Sequence, residues 1–215
     1  LVESHEQASP QALSNAILSC AMASHSGAAV DALADVVSKL SLSSWAAQAV
    51  ANSLYGWAVL SLLDRASPEL NAMASALFSE ANVRGPASFS NSLQKTQLHS
   101  AHMEAERLGL QGGGLATANG LQQAVAEEHK RGQTELCEGL KQSGGSVGLM
   151  RALAALQQAG YQVEVGGWID DEFFAPLLVK HGSHTSAIVV AIALPSDFFN
   201  HPRSQLSGKV ASLHA

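Results

Sequence analysis

Two stretches of this chain carry nearly the same pattern thirty-seven residues apart. Residues 10–24 read PQALSNAILSCAMAS, and residues 47–60 read AQAVANSLYGWAVL. Gln11, Ala12, Asn15, Ala21 and Ser24 fall opposite Gln48, Ala49, Asn52, Ala58 and Ser61. Leu13 and Ile17 fall opposite Val50 and Leu54. At a slightly longer offset, DALADVV (31–37) lies opposite NAMASAL (71–77), both small and aliphatic. A fainter third copy, FSNSLQKTQL (89–98), has Asn91 in the Asn position and Leu93 in the aliphatic one. A unit of this length cannot bury its apolar face alone, so the period predicts stacked helical hairpins. Val50, Leu54, Trp57 and Ala58 recur at helical spacing, and Asn52 stands among them. Asn is a mediocre helix former whose polar atoms need partners once water is scarce. Asn15 and Asn52 are therefore expected to cap or bridge backbone groups between adjacent hairpins.

Composition fits that expectation. The chain has 215 residues, room for one or two domains, and its 47% hydrophobic content supports a core. Charged residues are 14% and aromatics 5%, which suits helices packed closely over small side chains rather than disorder. The longest apolar run, AIVVAIAL (187–194), is strand-sized and far short of the roughly 18 residues of a membrane span. Cys20 and Cys137 are far apart without metal spacing, so reduced thiols and no zinc site are expected. The chain starts at Leu1 rather than Met, and is expected to be a processed or partial product that has lost any targeting peptide. The net charge of −6 lacks the basic balance of a typical nucleic-acid binder. Residues 1–100 carry only Lys39, Arg65, Arg84 and Lys95 as cations. From Phe173 onward Lys180, Arg203 and Lys209, with four His, face one acid, Asp197. That segment reads either as a small basic patch or as a solvated face.

Helices are predicted over about 10–24, 28–40, 45–63, 68–80 and 89–107, with Ser9-Pro10 and Ser67-Pro68 as N-cap and first-turn pairs. GLQGGGLATANG (109–120) reads as a flexible loop by composition. Shorter helices are expected near 119–130 and 134–142, with a break at SGGS (143–146). Beyond it, VGLMRALAALQQAG (147–160) is an amphipathic helix ending at Gly160. YQVEV (161–165), FFAPLLV (173–179) and SAIVVAIAL (186–194) are strand candidates, the last apolar enough to be central. SQLSGKVASLHA (204–215) closes as a helix. The predicted fold is mostly α, with a helical-repeat region (1–108), a linker with short helices (109–145) and a small α/β domain (146–215).

The two repeated stretches resemble octotricopeptide repeats, helical hairpins whose first helix carries a PQ-x-LAN-x-LWALA-like core. Gln11, Leu13, Asn15 and Ala21 match it in the first copy. Gln48, Val50, Ala51, Asn52, Leu54, Trp57 and Ala58 match it in the second. The same helical pattern occurs in FAST-kinase-like proteins. The C-terminal part resembles the RAP domain that often ends such proteins. QLHSAHMEAE (97–106) is similar to the helix preceding that domain, and SVGLMRALAALQQAGYQVE (146–164) to its opening helix and strand. In IVVAIALPSDFFNHPRSQLSGKVASL (188–213), Pro195, Ser196, Phe198, Asn200, Gly208 and Leu213 match its signature.

The resemblance implies an organellar protein, mitochondrial in preference to chloroplast, that binds single-stranded or structured RNA. It would support RNA processing, stability or translation without catalysing a reaction, and a setting in a mitochondrial ribosome, bracing rRNA beside ribosomal or other ribonucleoprotein partners, fits the acidic balance. Lys180, His181, His201, Arg203 and Lys209 are then the candidate RNA contacts. Gln11, Asn15, Gln48, Asn52 and Trp57 are the candidate structural residues of the repeats, with direct base contact by Asn15 or Asn52 as the competing reading. No cofactor, metal or membrane partner is expected. A protein-interaction scaffold is one alternative. The other is a metal-dependent nuclease, because the RAP fold is related to restriction-endonuclease-like folds. That chemistry needs clustered carboxylates. Here Pro176, Ala191 and Ala193 stand near where acidic residues would fall, and Asp170, Asp171 and Glu172 read as a solvated turn. His99 and His102 at helical spacing lack an evident third ligand, and the glycines at 109–120 lack the strand and Lys-Ser/Thr of a phosphate loop.

Overall fold

The computed structural model describes residues 9–63, 65–110, 112–143, 147–169, 173–180 and 187–190. Of these, 72% are helical. The helices are α1 (Pro10–Met22), α2 (Ala28–Lys39), α3 (Ala47–Leu62), α4 (Pro68–Arg84), α5 (Ser92–Leu108), α6 (Leu121–Ser143) and α7 (Val147–Gln158). The strands are β1 (Gln162–Ile169), β2 (Phe173–Lys180) and β3 (Ala187–Val190). The described residues fall into two compact units, 9–129 and 130–190.

In the first unit the helices start where their sequences provide caps. Ser9 and Ser67 each accept a backbone N–H from the first turn, from Ala12 and Leu70, and each is followed by proline. Asn91 opens α5 in a reciprocal pair with Gln94, which satisfies two otherwise orphaned donors. Helices α1, α3 and α5 pack side by side, and α2 packs against α4. Between α1 and α3 the backbones approach closely: a Cβ on Gly56 would stand 3.1 Å from Ile17 Cγ2 and 3.3 Å from Leu18 Cα. Trp57 fills the centre of the unit, its ring edge-on to Phe78 at 6.0 Å. Its indole N–H donates to Asn71 Oδ1 at 2.9 Å, which ties the two helices of one hairpin together. Arg84 is largely buried. It pairs with Glu80 at 2.7 Å and donates to the carbonyls of Trp45 and Leu42, both at 2.6 Å, fixing the 3₁₀ turn at Leu42–Ser44 that leads into α3.

Two expectations are corrected here. GLQGGGLATANG, read as a flexible loop, is pinned where it is described. Asn82 donates to Gly114 O at 3.1 Å and accepts from Ala116 N at 2.7 Å, and Asn119 donates to Asn82 O. Leu115 is buried in the core. The two short helices expected near 119–130 and 134–142 are a single helix, α6. Gly132 is a weak helix former, costing about 1 kcal/mol against Ala. The Arg131–Glu135 pair spans it and the Gln123–Glu127 pair lies a turn before it, and both favour continuity.

In the second unit α7 packs against β1, and the strands form an antiparallel sheet in the order β1-β2-β3. Val163 faces Val179 and Val165 faces Leu177, while Val179 faces Ile188. Segment 186–194 was expected to be central; among the described strands the middle place belongs to β2. The consecutive residues Leu177, Leu178 and Val179 are all buried, so both faces of β2 are covered. Strand β1 runs beyond the expected 161–165 through Gly166, whose φ of +71° is accessible to glycine without strain. The expected closing helix (204–215), the signature residues Pro195, Ser196, Phe198, Asn200, Gly208 and Leu213, and Asp170, Asp171, Glu172, Ala191 and Ala193 lie outside the described residues.

Candidate functional site

The repeated amides form a ladder across three helices. Within α1, Gln11 Nε2 donates to Asn15 Oδ1 at 2.8 Å; within α3, Gln48 Nε2 donates to Asn52 Oδ1 at 2.7 Å. Between helices, Asn52 Nδ2 donates to Asn15 Oδ1 at 3.4 Å, and Gln97 Nε2 on α5 donates to Asn52 Oδ1 at 3.1 Å. Gln48 also donates to Gln97 Oε1 and accepts from Gln94, both at 3.2 Å. The expected bridge is thus made between side chains and not to backbone groups. Asn52 and Gln97 are buried, whereas Asn15, expected in a dry stripe, is exposed.

The ladder also corrects the third repeat. Asn15, Asn52 and Gln97 are each the sixth residue of their helices, which start at Pro10, Ala47 and Ser92. Gln97, not Asn91, therefore occupies the repeat position, and Asn91 caps the helix instead. The turn at Pro86–Ser88 and the residues around it lengthen the connection, so the linear spacing misaligned this copy. Trp57 belongs to the core, as described above.

Replacing Asn52 with Ala removes the hub of this network and leaves the buried Gln97 amide without its acceptor. A loss of about 1–3 kcal/mol is expected. Thermal unfolding measured beside Gln11→Ala, at the exposed edge, checks it: the Asn52 variant should melt well below the Gln11 variant.

Of the candidate RNA contacts, Lys180 ends β2, paired with Gln162 and Ala187. His181, His201, Arg203 and Lys209 lie outside the described residues. In the first unit Arg84 is held internally, while Lys39, Arg65 and Arg107 make local contacts at the surface. Lys39 pairs with Asp35 at 2.7 Å, Arg65 donates to Ser24 O, Arg84 is bound as above, and Arg107 pairs with Glu104 at 2.7 Å.

Sequence reasoning set aside a second region, and the structure assembles it. The turn after α5 folds back over His102, bringing Leu115 N within 3.1 Å of His102 Nδ1. Gly114 is required there, because a Cβ would stand 2.3 Å from that nitrogen. The fold-back borders an open cleft of about 360 Å³ lined by His102, Ala105, Glu106, Leu110, Leu115 and Gln122, among others. Burial lowers the His102 pKa, opposed by nearby Glu106. One turn away, His99 stacks on His129 of α6 with ring centroids 4.2 Å apart. Burial first, then the charges of His129 and His102, push the His99 pKa down to about 4. The signals were His99 and His102 three residues apart, followed by the glycine run 112–114. Neither discloses the fold-back by itself. Among the described residues, no group of three or more His, Cys, Asp or Glu could hold a metal, and no helix is long and apolar enough to cross a membrane.

No family model, curated protein or solved structure matches this chain.

Proposed function

We propose that this chain is a non-catalytic helical-repeat protein that binds RNA within an organellar ribonucleoprotein, such as a mitochondrial ribosome. The observation that supports it is the register of α1, α3 and α5, held by an amide ladder at the positions that resemble octotricopeptide repeats. Side-by-side helices present a continuous surface to an extended ligand. With Arg84 buried against Glu80 and few other cations in the first unit, contact would be mainly with bases and less with phosphates. In this reading residues 146–215 form a RAP-like unit that supplies the phosphate contacts, Lys180, Arg203 and Lys209.

Gel mobility with single-stranded organellar RNA at several salt concentrations tests this. Three phosphate contacts to a single strand give a slope of log K against log salt of about −2, and Arg203→Ala or Lys209→Ala should each make it shallower by about 0.7. A complex whose slope is unchanged in the double variant places the contact elsewhere.

The acidic balance of the chain favours a second reading, a protein-interaction scaffold. It predicts no complex with RNA at any salt concentration, and retention of the chain by protein partners after ribonuclease treatment.

A further inference from the structure

His102 closes the fold-back by accepting a hydrogen bond. Leu115 N–H donates to its Nδ1, so that nitrogen is bare while the turn is in place. A charged imidazole donates from both nitrogens. On His102 one of those donors would face the Leu115 N–H, with Gly114 packed against it. The other, Nε2, is buried and has no hydrogen-bond partner among the described residues. The stacked pair meets the same obstacle: the Nδ1 atoms of His99 on α5 and His129 on α6 are both buried without a partner there. Charging both rings would also set two cations face to face at 4.2 Å. Each of the three rings therefore fits this packing only while neutral, and burial lowers the pKa of all three.

The surrounding charges do little to offset this. Glu106 lies 3.5 Å from His102 Nε2 and favours its charged form, but does not restore the Leu115 bond. The charges that act on His99 are those of His129 and His102. Residues 109–120 have no titratable side chain. From α4, neutral Asn82 meets the fold-back, while Glu80 and Arg84 pair with each other. On α5, Glu104 pairs with Arg107, and on α6, Glu128 and Lys130 adjoin His129 with opposite charges. The Asn82 bonds and the buried Leu115, Leu121 and Val125 hold the segment without titrating. Gly112 and Gly113, both at positive φ, supply a hinge ahead of it.

We propose that His99, His102 and His129 are an acid-released latch, closing residues 112–129 onto α4 and α5 while neutral and freeing them, with α1 to α5 still folded, when the rings take up protons. In the freed segment the rings titrate near the ordinary 6.5, whereas the closed segment resists, His99 down to about 4. Above pH 6.5 both forms keep the rings neutral, and the latch is indifferent to pH. Below it the freed form takes up protons first, and the opening equilibrium shifts by up to about tenfold per pH unit for each ring.

Hydrogen–deuterium exchange of the full 215-residue chain at pH 7 and pH 5, corrected for the intrinsic pH dependence of exchange, tests this. Protection of residues 114–129 is expected to fall by about tenfold or more between the two, and to lie below that of α3 at both. Equal protection of the segment and α3 at both pH values, or a segment indifferent to pH, would overturn the proposal. His102→Asn offers the Leu115 N–H a neutral acceptor that does not titrate. Its segment should stay closed at pH 7 and lose protection at pH 5 by a smaller factor than in the native chain; an equal loss counts against the latch. Should that variant be open already at pH 7, nitrogen NMR of the native His102 ring decides. Nδ1 must be unprotonated at pH 7 and gain its proton over the interval in which the segment loses protection. A protonated Nδ1 at pH 7, or titration of the ring with protection intact, removes the latch.

Discussion

Trp57→Ala is expected to destabilise the first unit by about 4 kcal/mol, the largest effect of any single substitution considered for this chain. Trp57 is fully buried at the junction of α3 and α4. Truncation removes its edge-on contact with Phe78 and leaves a cavity in a layer of helices already in close contact. It also leaves Asn71 Oδ1 without the indole donor. A domain of this size is stable by about 5–15 kcal/mol, so the variant would lose a large fraction of its margin. Trp57→Phe separates the two contributions. It keeps an aromatic ring against Phe78 and loses the hydrogen bond, with an expected cost of about 1–2 kcal/mol. Denaturant unfolding followed by helical circular dichroism measures both. Equal losses for the two variants would show that the hydrogen bond, and not the packing, dominates.

Acid should weaken the same unit before the carboxylates titrate. The His99 pKa is near 4 in the folded chain against 6.5 for an unperturbed imidazole. Above pH 6.5 both folded and unfolded states keep this group neutral, and its contribution is constant. As pH falls below 6.5 the unfolded chain takes up a proton that the folded chain refuses, so stability drops until the folded group also titrates near pH 4. The shift corresponds to at most about 3 kcal/mol, and partial solvent access reduces this to about 2. His102 and His129, both also lowered by burial, act in the same direction. The interval from pH 6.5 to 5 is diagnostic, because ordinary carboxylates remain largely ionised there. Melting temperatures across it should fall in the native chain and fall less steeply in His99→Phe, which keeps a ring to stack on His129. An equally steep fall in the variant would assign the acid sensitivity to other groups.

The first four helices were legible because their signals are local. Ser9-Pro10 and Ser67-Pro68 mark helix starts within two letters, and the shared Gln and Asn positions of α1 and α3 gave the hairpin period. The third copy was misread because an asparagine can either cap a helix or stand inside one. Asn91 does the first, and the sequence around it carries the capping partner Gln94 as plainly as any repeat motif. The composition of residues 109–120 pointed to freedom, yet Gly114, Ala116 and Asn119 are tied to Asn82 by bonds that span more than thirty residues of chain. The cleft beside His102 was illegible for a related reason. It depends on a fold-back that brings Gly114 against a histidine twelve residues earlier, and nothing in either letter announces that contact.

The amide ladder sets where this chain can change length. Its residues keep a fixed distance from the start of each helix, while α1, α3 and α5 run 13, 16 and 17 residues. One residue inserted ahead of Asn52 would swing the amide by about 100° around the helix, out of reach of both neighbours. The same residue added at the far end of α3, or in the connection to the next hairpin, would leave every rung in place. Insertions and deletions are therefore tolerated at one end of each first helix and penalised at the other, so the array counts its residues from the helix start alone.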